Sequence, residues 1–271
     1  MKYDLHVHSN ISDGVLNRIQ IVKLAEQLGI RYLAFTEHNT FSDYYPKSKD
    51  VYFVKGIEFD CKTTTSFHAL CYFLNYHFEI ENMIKKYQKN INNTSEELIS
   101  NIEKIFDIPI SIDLLKGFFQ KESISKRDII DWLLVNKYAS SVKQAADTFT
   151  NRNSLSYVPK YSLDFKEVSD CIHKLGGIIV LAHPNTLEPK VDNMSLFIKN
   201  LKNDGLDGIE VINTSKKLIN TGDYCGIAEK YDLLTTGGSD FHNPNTDKLG
   251  IIGDYDNTII KRIRELRADS N

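Results

Sequence analysis

The sequence lacks several features that would assign it to a protein class at once. Its 4 cysteines form no CxxC pair, and no apolar run approaches the roughly 20 residues that span a bilayer. We find no internal repeat and no low-complexity segment. The spacing of the cysteines therefore predicts buried thiols in a reducing cytoplasm, and not a redox motif or a disulfide framework.

The chain also lacks an excess of positive charge. Its net charge of -3 and its pI near 6.2 give no global attraction to nucleic acid, so any pull on phosphate has to come from the functional site itself. The first residues, MKYDLHVH, turn polar at once and do not resemble a signal peptide. We therefore expect a cytoplasmic protein without membrane contact, and nothing in the sequence indicates an obligatory protein partner.

What the sequence does contain is an alternation of apolar, β-rich runs with helical patterns such as Val15–Leu28 and Asp164–Leu175. With 271 residues and 41% hydrophobic content, it can build one large core with an inserted subdomain. The alternation predicts the α/β class with a parallel sheet, and the number of strands favours a barrel. The predicted strands are Tyr3–Val7, Arg31–Thr36, Tyr52–Phe59, Ala69–Leu74, Ile178–Ala182, Gly208–Ile212 and Leu233–Thr236.

The alternation stops between residues 77 and 156, where only helical patterns occur. We interpret this stretch as an α-helical insertion domain between two strands of a barrel formed by 1–76 and 157–271. Within it, Asn90–Asn93 is predicted to be a short polar linker. The predicted helices are Thr94–Phe106, Asp113–Phe119, Lys126–Val135 and Val142–Phe149.

Six of the 8 histidines lie in short motifs, most of which follow an apolar run. In parallel α/β folds, ligands collect at the carboxyl ends of the strands. His6 and His8 are two residues apart, so in a strand they share one face. The motifs are DLHVH, SDG, FTEHN, GIEF, FHALCYF, VLAHP and GGSDFH, and their candidate metal ligands are His6, His8, Asp13, His38, Glu58, His68, His183, Asp240 and His242.

Histidines and carboxylates together suit Mn, Fe or Zn, and nine ligands suffice for two or three divalent ions. Such a site attracts phosphate although the whole protein is acidic. It also lowers the pKa of a bound water toward 7, which provides hydroxide at neutral pH. The two histidines outside these motifs, His77 and His173, are expected to be ordinary surface residues.

The order of these motifs identifies the chain as similar to the PHP family (polymerase and histidinol phosphatase). The resemblance covers 1–76 and about 157–271. It implies a distorted seven-stranded (β/α)7 barrel, the PHP fold, with a trinuclear metal site and a substrate-capping insertion. By the same resemblance, one ion would be held by His6, His8, Glu58 and Asp240, a second by Glu58, His68 and His183, and a third by Asp13, His38 and His242.

Two residues depart from the family pattern. Glu37 stands where the family usually has Asp before the histidine, which we expect to alter a contact behind the ligands and not a ligand itself. Ser9 replaces the more usual Thr.

The expected substrate contacts lie at the start of a helix in the insertion. Ser125 and Asp128 have capping-box spacing, and Lys126 and Arg127 fall in the first turn, where a helix amino terminus and an arginine can bind phosphate. A solvated basic turn is the alternative on the sequence alone. The resemblance favours phosphate binding, because related enzymes have Arg-Pro-His here, and Arg127 matches the arginine while Asp128 and Ile129 replace the other two.

A second possible phosphate contact is Lys216, which with Lys217 follows the strand GIEVIN. Relatives often have a histidine there. A solvated pair of lysines is the other interpretation.

The resemblance is strongest to enzymes that hydrolyse nucleoside 3′,5′-bisphosphates or trim short oligonucleotides. We therefore expect a metal-dependent phosphomonoesterase that acts on a small nucleotide, with a metal-bound hydroxide as the nucleophile and Arg127 orienting a second phosphate. The alternatives are a 5′–3′ exonuclease on short oligonucleotides, a histidinol phosphatase and a non-catalytic PHP module. The complete ligand set argues against the last of these.

Overall fold

The computed structural model describes residues 2–72, 77–187, 192–215, 221–250 and 260–261. It divides the chain into two compact units. The first consists of Met1–Glu81 and Ser162–Asn271, and the second of Asn82–Tyr161. The boundary falls in the first turn of a long helix, Phe78–Phe106.

The first unit is built on one sheet, whose main path has the strand order β1-β2-β3-β4-β6-β7-β8. All seven predicted strands are found, so the predicted α/β barrel is confirmed. A short additional strand, β5 (Leu163–Asp164), pairs with β3. The main strands are β1 (Lys2–Val7), β2 (Ile30–Phe35), β3 (Tyr52–Lys62), β4 (Ser66–Tyr72), β6 (Ile178–Leu181), β7 (Gly208–Asn213) and β8 (Leu234–Gly238).

Two backbone hydrogen bonds bring the ends of this path together. The amide of Asp240 donates to the carbonyl of His6 at 2.8 Å, and the amide of His8 donates to the carbonyl of Phe241 at 3.0 Å. The segment that follows β8 therefore pairs with the end of β1. The sheet is nearly closed, and the first and last metal-ligand motifs of the sequence become neighbours.

One strand contradicts the expectation of a parallel sheet. β4 runs antiparallel to both β3 and β6, while the other neighbours on the path are parallel. The cause is the short β3–β4 connection: Lys62 pairs with Ser66, and this leaves room for a turn but not for a crossover helix. The prediction of strand direction was wrong here because hydrophobic periodicity carries no information on direction.

Four α-helices of the described residues belong wholly to the first unit, and side-chain caps mark where three of them begin, the last through Asn193. Asn17 forms a capping box with Gln20 at the start of the first, and Asp164 accepts a hydrogen bond from the amide of Glu167 at the start of the next. The helices are α1 (Arg18–Leu28), α6 (Phe165–Lys174), α7 (Met194–Asn203) and α8 (Thr221–Lys230).

The described residues of the second unit form helices joined by loops, with no strand, around a core that contains Trp132 and Ile129. The predicted linker Asn90–Asn93 is wrong, because it lies inside a continuous helix. Ile91 is buried there, and Asn92 hydrogen-bonds the backbone of Glu122 and Ile124, so these polar residues hold a loop and do not interrupt the helix. The helices are α2 (Phe78–Phe106), α3 (Ile112–Phe119), α4 (Lys126–Val135) and α5 (Val142–Ala145), with a π-helical turn at Ala146–Thr150.

All four cysteines are free thiols, but only two of them are buried as predicted. Burial raises the pKa of Cys61 and Cys71 well above 9.0, which makes these thiols unreactive. Cys171 and Cys225 are partly exposed because both lie on helices that cover the sheet. Among the helices that the structure describes, none is both long enough and apolar enough to cross a bilayer.

Candidate metal centre

The nine predicted ligands all lie in one cluster within the first unit. They form four overlapping groups, and the candidate ligand atoms of each group lie within 4.8 Å of one another. Together the groups contain every predicted ligand. They are His8, Asp13, His38 and His242; His6, His8 and Glu58; His6, His183 and Asp240; and His38, Glu58 and His68.

Most of these side chains reach the cluster from the carboxyl ends of parallel strands, as expected. His6 and His8 lie at the end of β1 and are fully buried. Glu58 lies in the middle of β3, but it is level with the end of β2, since the pairing of the two strands continues as a bridge between His38 and Glu58.

His68 belongs to the same end of the sheet because β4 is antiparallel. It lies near the start of β4, where it pairs with Asp60 near the end of β3. Its carbonyl also accepts a hydrogen bond at 3.0 Å from the amide of Ala182, which places His183 beside it. The reversed strand therefore explains why this motif precedes its strand while most of the others follow theirs.

Glu58 connects the two sides of the cluster through its two oxygens. Oε1 lies 3.0 Å from His68 Nδ1 and 3.1 Å from His183 Nε2. Oε2 lies 3.3 Å from Nε2 of both His6 and His8, and 3.0 Å from His38 Nδ1. A carboxylate with histidines on both oxygens is arranged as a bridging ligand.

Asp240 lies on the side of the cluster that Oε2 faces. Its Oδ1 is 3.4 Å from His6 Nε2 and 3.3 Å from His8 Nε2. Ligand atoms that lie roughly 2 Å from one ion at tetrahedral angles are about 3.4 Å apart. The distances from His6 and His8 to Glu58 and Asp240 therefore suit a shared cation.

Asp13 lies at the exposed edge of the cluster, with 55% of its side chain accessible. Its Oδ1 is 3.3 Å from His242 Nε2, and its Oδ2 is 3.8 Å from His38 Nε2. The ring of His8 packs against those of both His38 and His242, with centroid distances of 4.4 and 4.2 Å. His8 thus adjoins both the Glu58 side and the Asp13 side.

Several buried nitrogen and oxygen atoms in the cluster lack a hydrogen-bond partner among the described residues, and a cation could take the place of that partner. His6 Nε2, both ring nitrogens of His8 and Glu58 Oε2 are buried and form no hydrogen bond within the described part of the chain. A buried polar atom without a partner typically costs about 1–3 kcal/mol, whereas imidazole nitrogen and carboxylate oxygen are good ligands for Mn, Fe and Zn. The donor set therefore fits divalent metal ions.

The charges of the cluster lead to the same conclusion. Burial lowers the pKa of His8, but the Asp240 and Glu58 carboxylates outweigh it and raise that pKa to about 9. Burial likewise lowers the pKa of His68, but Glu58 and Asp60 raise it to about 10. The buried carboxylates thus favour positive charge at the centre, which divalent cations supply while the imidazoles are neutral.

Four buried carboxylates outside the predicted set contact the ligands or the backbone beside them, and of these only Glu37 is expected from the sequence to have such a role. Glu210 contacts His6 Nδ1 at 2.9 Å, which directs Nε2 toward the centre, and it also accepts from the amide of His183 at 2.7 Å. Asp4 binds the amide of Ser239 at 2.8 Å, just before Asp240. The four are Asp4, Glu37, Asp60 and Glu210.

A signal for Asp4 and Glu210 was present in the sequence. Each is a charged residue inside an otherwise apolar strand, in KYDLHV and GIEVIN, where a solvated side chain is not expected. Asp60 had a weaker signal, because it lies in a strand end that alternates polar and apolar residues.

The structure describes only some of the predicted substrate residues. Arg127 is exposed and donates to Asp131 at 2.9 Å, one helical turn away, and burial together with Lys160 lowers the pKa of Lys126. The predicted capping box between Ser125 and Asp128 is present at the start of α4. Ile129 is buried in the core of the second unit, and Lys216 lies outside the described residues.

The PHP domain model matches residues 4–183, which is most of the chain, and the protein therefore belongs to the PHP family. The matched range ends at His183, and Asp240 and His242 of the cluster lie beyond it.

The curated relatives are similar over nearly their whole length. The chain is 22% identical to the 5′–3′ exoribonuclease Rnm of Escherichia coli, with 89% of this chain and 85% of the relative covered. It is 25% identical to a 5′–3′ exoribonuclease of Haemophilus influenzae, with 90% of each chain covered. It is also 25% identical to a phosphoribosyl 1,2-cyclic phosphate 1,2-diphosphodiesterase of Eggerthella lenta, with 88% of this chain and 93% of that protein covered.

Among solved structures, the chain resembles a Bifidobacterium adolescentis protein described as a metal-dependent phosphoesterase. The TM-score is 0.77 at 23% identity, and 96% of this chain and 94% of the other are covered. A Chromobacterium violaceum protein described as an amidohydrolase has the same TM-score of 0.77 at 20% identity, with 99% and 96% covered. These similarities establish the PHP fold.

Proposed function

We propose that this protein is a hydrolase that cleaves phosphate esters of RNA or nucleotides with two or three divalent ions held by the nine-residue cluster. The observation that carries the proposal is Glu58, whose two oxygens face different histidines of a buried cluster at 3.0–3.3 Å. Divalent ions bound there would lower the pKa of water and neutralise charge on phosphate oxygens.

The residues of the chain provide the conditions for this chemistry. Glu210 holds the ring of His6 in one orientation, so that its outward nitrogen is free to bind a metal. The cluster is closed at its base, where His6, His8 and Glu58 are fully buried, and more open at Asp13 and His242. We therefore place the scissile phosphate on the side of Asp13.

Short RNA is the first candidate substrate. Two curated relatives named as 5′–3′ exoribonucleases cover about nine-tenths of this chain, which supports a related activity here. The acidic chain has no extended attraction for nucleic acid, and this favours short substrates that are held mainly at the metal centre.

A nucleoside 3′,5′-bisphosphate is the second candidate. It carries the same two phosphates that flank the first nucleoside of a 5′-phosphorylated RNA. The exposed Arg127 offers a guanidinium for the second phosphate once it leaves Asp131. We propose Arg127 and Lys126 as substrate contacts on this basis.

A product assay distinguishes the two candidates. Metal-stripped protein is supplied with Mn²⁺, Fe²⁺ or Zn²⁺ and then with a 5′-phosphorylated RNA pentamer or a nucleoside 3′,5′-bisphosphate. An exoribonuclease produces mononucleotides from the pentamer, and a phosphatase produces inorganic phosphate from the bisphosphate. Cleavage of neither substrate with any of the three metals contradicts the proposal.

Two histidine variants control this assay. His8→Ala removes a ligand and should abolish turnover. His173→Ala changes an exposed histidine of α6 that pairs with Asp207 and belongs to none of the four ligand groups, so its activity should equal that of the wild type. Equal loss in both variants would mean that the effect of His8→Ala is not specific to the cluster.

A further inference from the structure

Glu37 is a buried carboxylate that lies beside the cluster and belongs to none of the four ligand groups. It instead accepts hydrogen bonds from the turn that carries Asp13. The amide of Ser9 donates at 3.0 Å, and the hydroxyls of Ser9 and Ser12 donate at 2.5 and 2.7 Å. One side chain thus holds both ends of the segment Ser9–Ser12.

The charge of Glu37 is balanced by a buried arginine. Arg18 Nε and Nη2 lie 3.2 and 3.1 Å from Glu37 Oε1, and both side chains are buried. Arg18 also donates to the carbonyls of Ser42 and Tyr44 at 2.8 Å, and its guanidinium lies 4.5 Å from the ring centroid of Phe35. The Glu37 carboxylate is therefore a fixed point for its other contacts, because Arg18 is itself oriented by two backbone carbonyls and by the ring of Phe35.

Glu37 anchors the Asp13 turn through side chains, and two backbone hydrogen bonds hold its flanks: the amide of Asn10 donates to the carbonyl of Leu16 at 2.9 Å, and the amide of Val15 donates to the carbonyl of His242 at 2.8 Å. The side chain of Asp13 is 55% exposed, so packing does not orient it. The carbonyl of Ser9 accepts from the amides of Ser12 at 3.1 Å and Gly14 at 3.0 Å, which forms the turn from the residue that Glu37 binds. A Cβ at Gly14 would lie 2.4 Å from the carbonyl oxygen of His8, so the turn also requires this close approach.

Glu37 is at the same time the residue before His38. Its carbonyl accepts from the amide of Glu58 at 3.1 Å, which fixes the backbone that presents His38. The same residue thus contacts the Asp13 turn through its side chain and positions His38 through its backbone. Asp13 Oδ2 and His38 Nε2 lie 3.8 Å apart in the cluster.

We propose that Glu37, neutralised by Arg18, is a positioning residue that sets the distance between Asp13 and His38 and so controls the affinity for one ion of the centre. The inference rests on the proposed function, because it assumes that the cluster binds metal. Under this proposal, the Asp13 ligand is positioned by a hydrogen-bonded turn, whereas the ligands around Glu58 are positioned by strands.

Ser12→Ala is the decisive variant. It removes the hydroxyl that donates to Glu37 at 2.7 Å and that also lies 3.3 Å from Asp13 Oδ1, and it leaves the Arg18–Glu37 pair intact. Ser12→Thr keeps the hydroxyl and should retain metal binding. Glu37→Gln tests the carboxylate itself, but it leaves Arg18 buried without its charge partner and is expected to destabilise the fold.

Ser48→Ala is a closely matched control. Ser48 also donates to a glutamate, Glu26, at 2.7 Å, but this exposed pair lies outside the cluster. Both variants thus lose a serine-to-glutamate hydrogen bond of 2.7 Å. Ser12→Ala also loses the contact with Asp13, and Ser48→Ala also loses the bonds that the serine accepts from the amides of Asp50 and Val51. A loss of metal binding in Ser12→Ala alone is therefore specific to the cluster.

The experiment is a titration of metal-stripped protein with Mn²⁺, in which free Mn²⁺ is measured by electron paramagnetic resonance. We expect Ser12→Ala to weaken one binding site by about tenfold or more, as is typical when support behind a ligand is lost, and to leave the others unchanged. Ser12→Thr and Ser48→Ala should match the wild type. The unfolding temperatures of the metal-free variants should agree with one another.

Two results would overturn the proposal. If Ser12→Ala binds Mn²⁺ as the wild type does, then Glu37 does not control the Asp13 side, although the proposed function still stands. If the wild type binds no Mn²⁺, Zn²⁺ or Fe²⁺, the proposed function fails and the inference fails with it.

Discussion

At the scale of single residues, the candidate centre depends as much on buried carboxylates behind the ligands as on the ligands. Glu210 illustrates this. Its Oε1 contacts His6 Nδ1 at 2.9 Å, and its Oε2 accepts from the amide of His183 at 2.7 Å and from the side chain of Asn213 at 3.0 Å. One carboxylate therefore orients two ligands on neighbouring strands.

This arrangement leads to a prediction for Glu210→Gln. The glutamine oxygen can remain an acceptor for His6, but its NH2 then faces the amide of His183 and the side chain of Asn213, and the negative charge that makes the imidazole a better ligand is lost. We expect metal affinity to fall by roughly 10- to 100-fold and the free energy of unfolding to fall by about 1–3 kcal/mol. Calorimetric titration with Zn²⁺ measures the affinity, and an unchanged dissociation constant would show that Glu210 has only a packing role.

A second prediction concerns Gly238, the last residue of β8. A Cβ there would lie 2.2 Å from His6 Cβ and 2.7 Å from His6 N, which leaves no room for any side chain. We expect Gly238→Ala to lower the free energy of unfolding by about 1–3 kcal/mol. Gly226→Ala is the control, since its Cβ would meet nothing within 4 Å. Urea denaturation compares the two, and equal stability would contradict the close approach of β1 and β8.

At the scale of helices and strands, local sequence signals predicted where a helix begins better than they predicted strand direction or helix continuity. The start of α4 is an example. Ser125 accepts from the amide of Asp128, and Asp128 accepts from the amide of Ser125, as the capping-box spacing predicted. The direction of β4 and the continuous path of α2 through Asn90–Asn93 depend on contacts with distant residues, and the sequence pattern does not contain them.

The capping box itself can be tested. Ser125→Ala removes the acceptor for the amide of Asp128, and we expect the free energy of unfolding of the helical unit to fall by about 1 kcal/mol. Ser125→Thr retains a capping hydroxyl and should lose little stability. Thermal unfolding followed by circular dichroism measures both variants, and identical curves for wild type and Ser125→Ala would contradict a stabilising cap.

At the scale of the whole molecule, the barrel and the ligand set could be predicted because each ligand lies in a short motif beside an apolar run. Closure of the sheet then brings the first and last motifs together, with His8 bonded to Phe241 through the backbone. Glu210 was missed although a charge inside an apolar strand is a signal, because its contact with His6 forms only when distant strands are brought together. Asp60 was missed because an alternating strand end does not show that its side chain meets His68 on the next strand. The predicted grouping of ligands around individual ions remains a prediction.

We propose that the cluster around Glu58 binds more than one divalent ion. The most direct measurement is the metal content per chain after metal-stripped protein is loaded with Mn²⁺ or Zn²⁺ and desalted, with Glu58→Gln analysed in parallel. We expect about two or three ions in the wild type and the loss of at least one in the variant, because Glu58 faces candidate ligands on both of its oxygens. A wild type that retains fewer than about one ion, or a variant that retains as many as the wild type, would contradict this proposal.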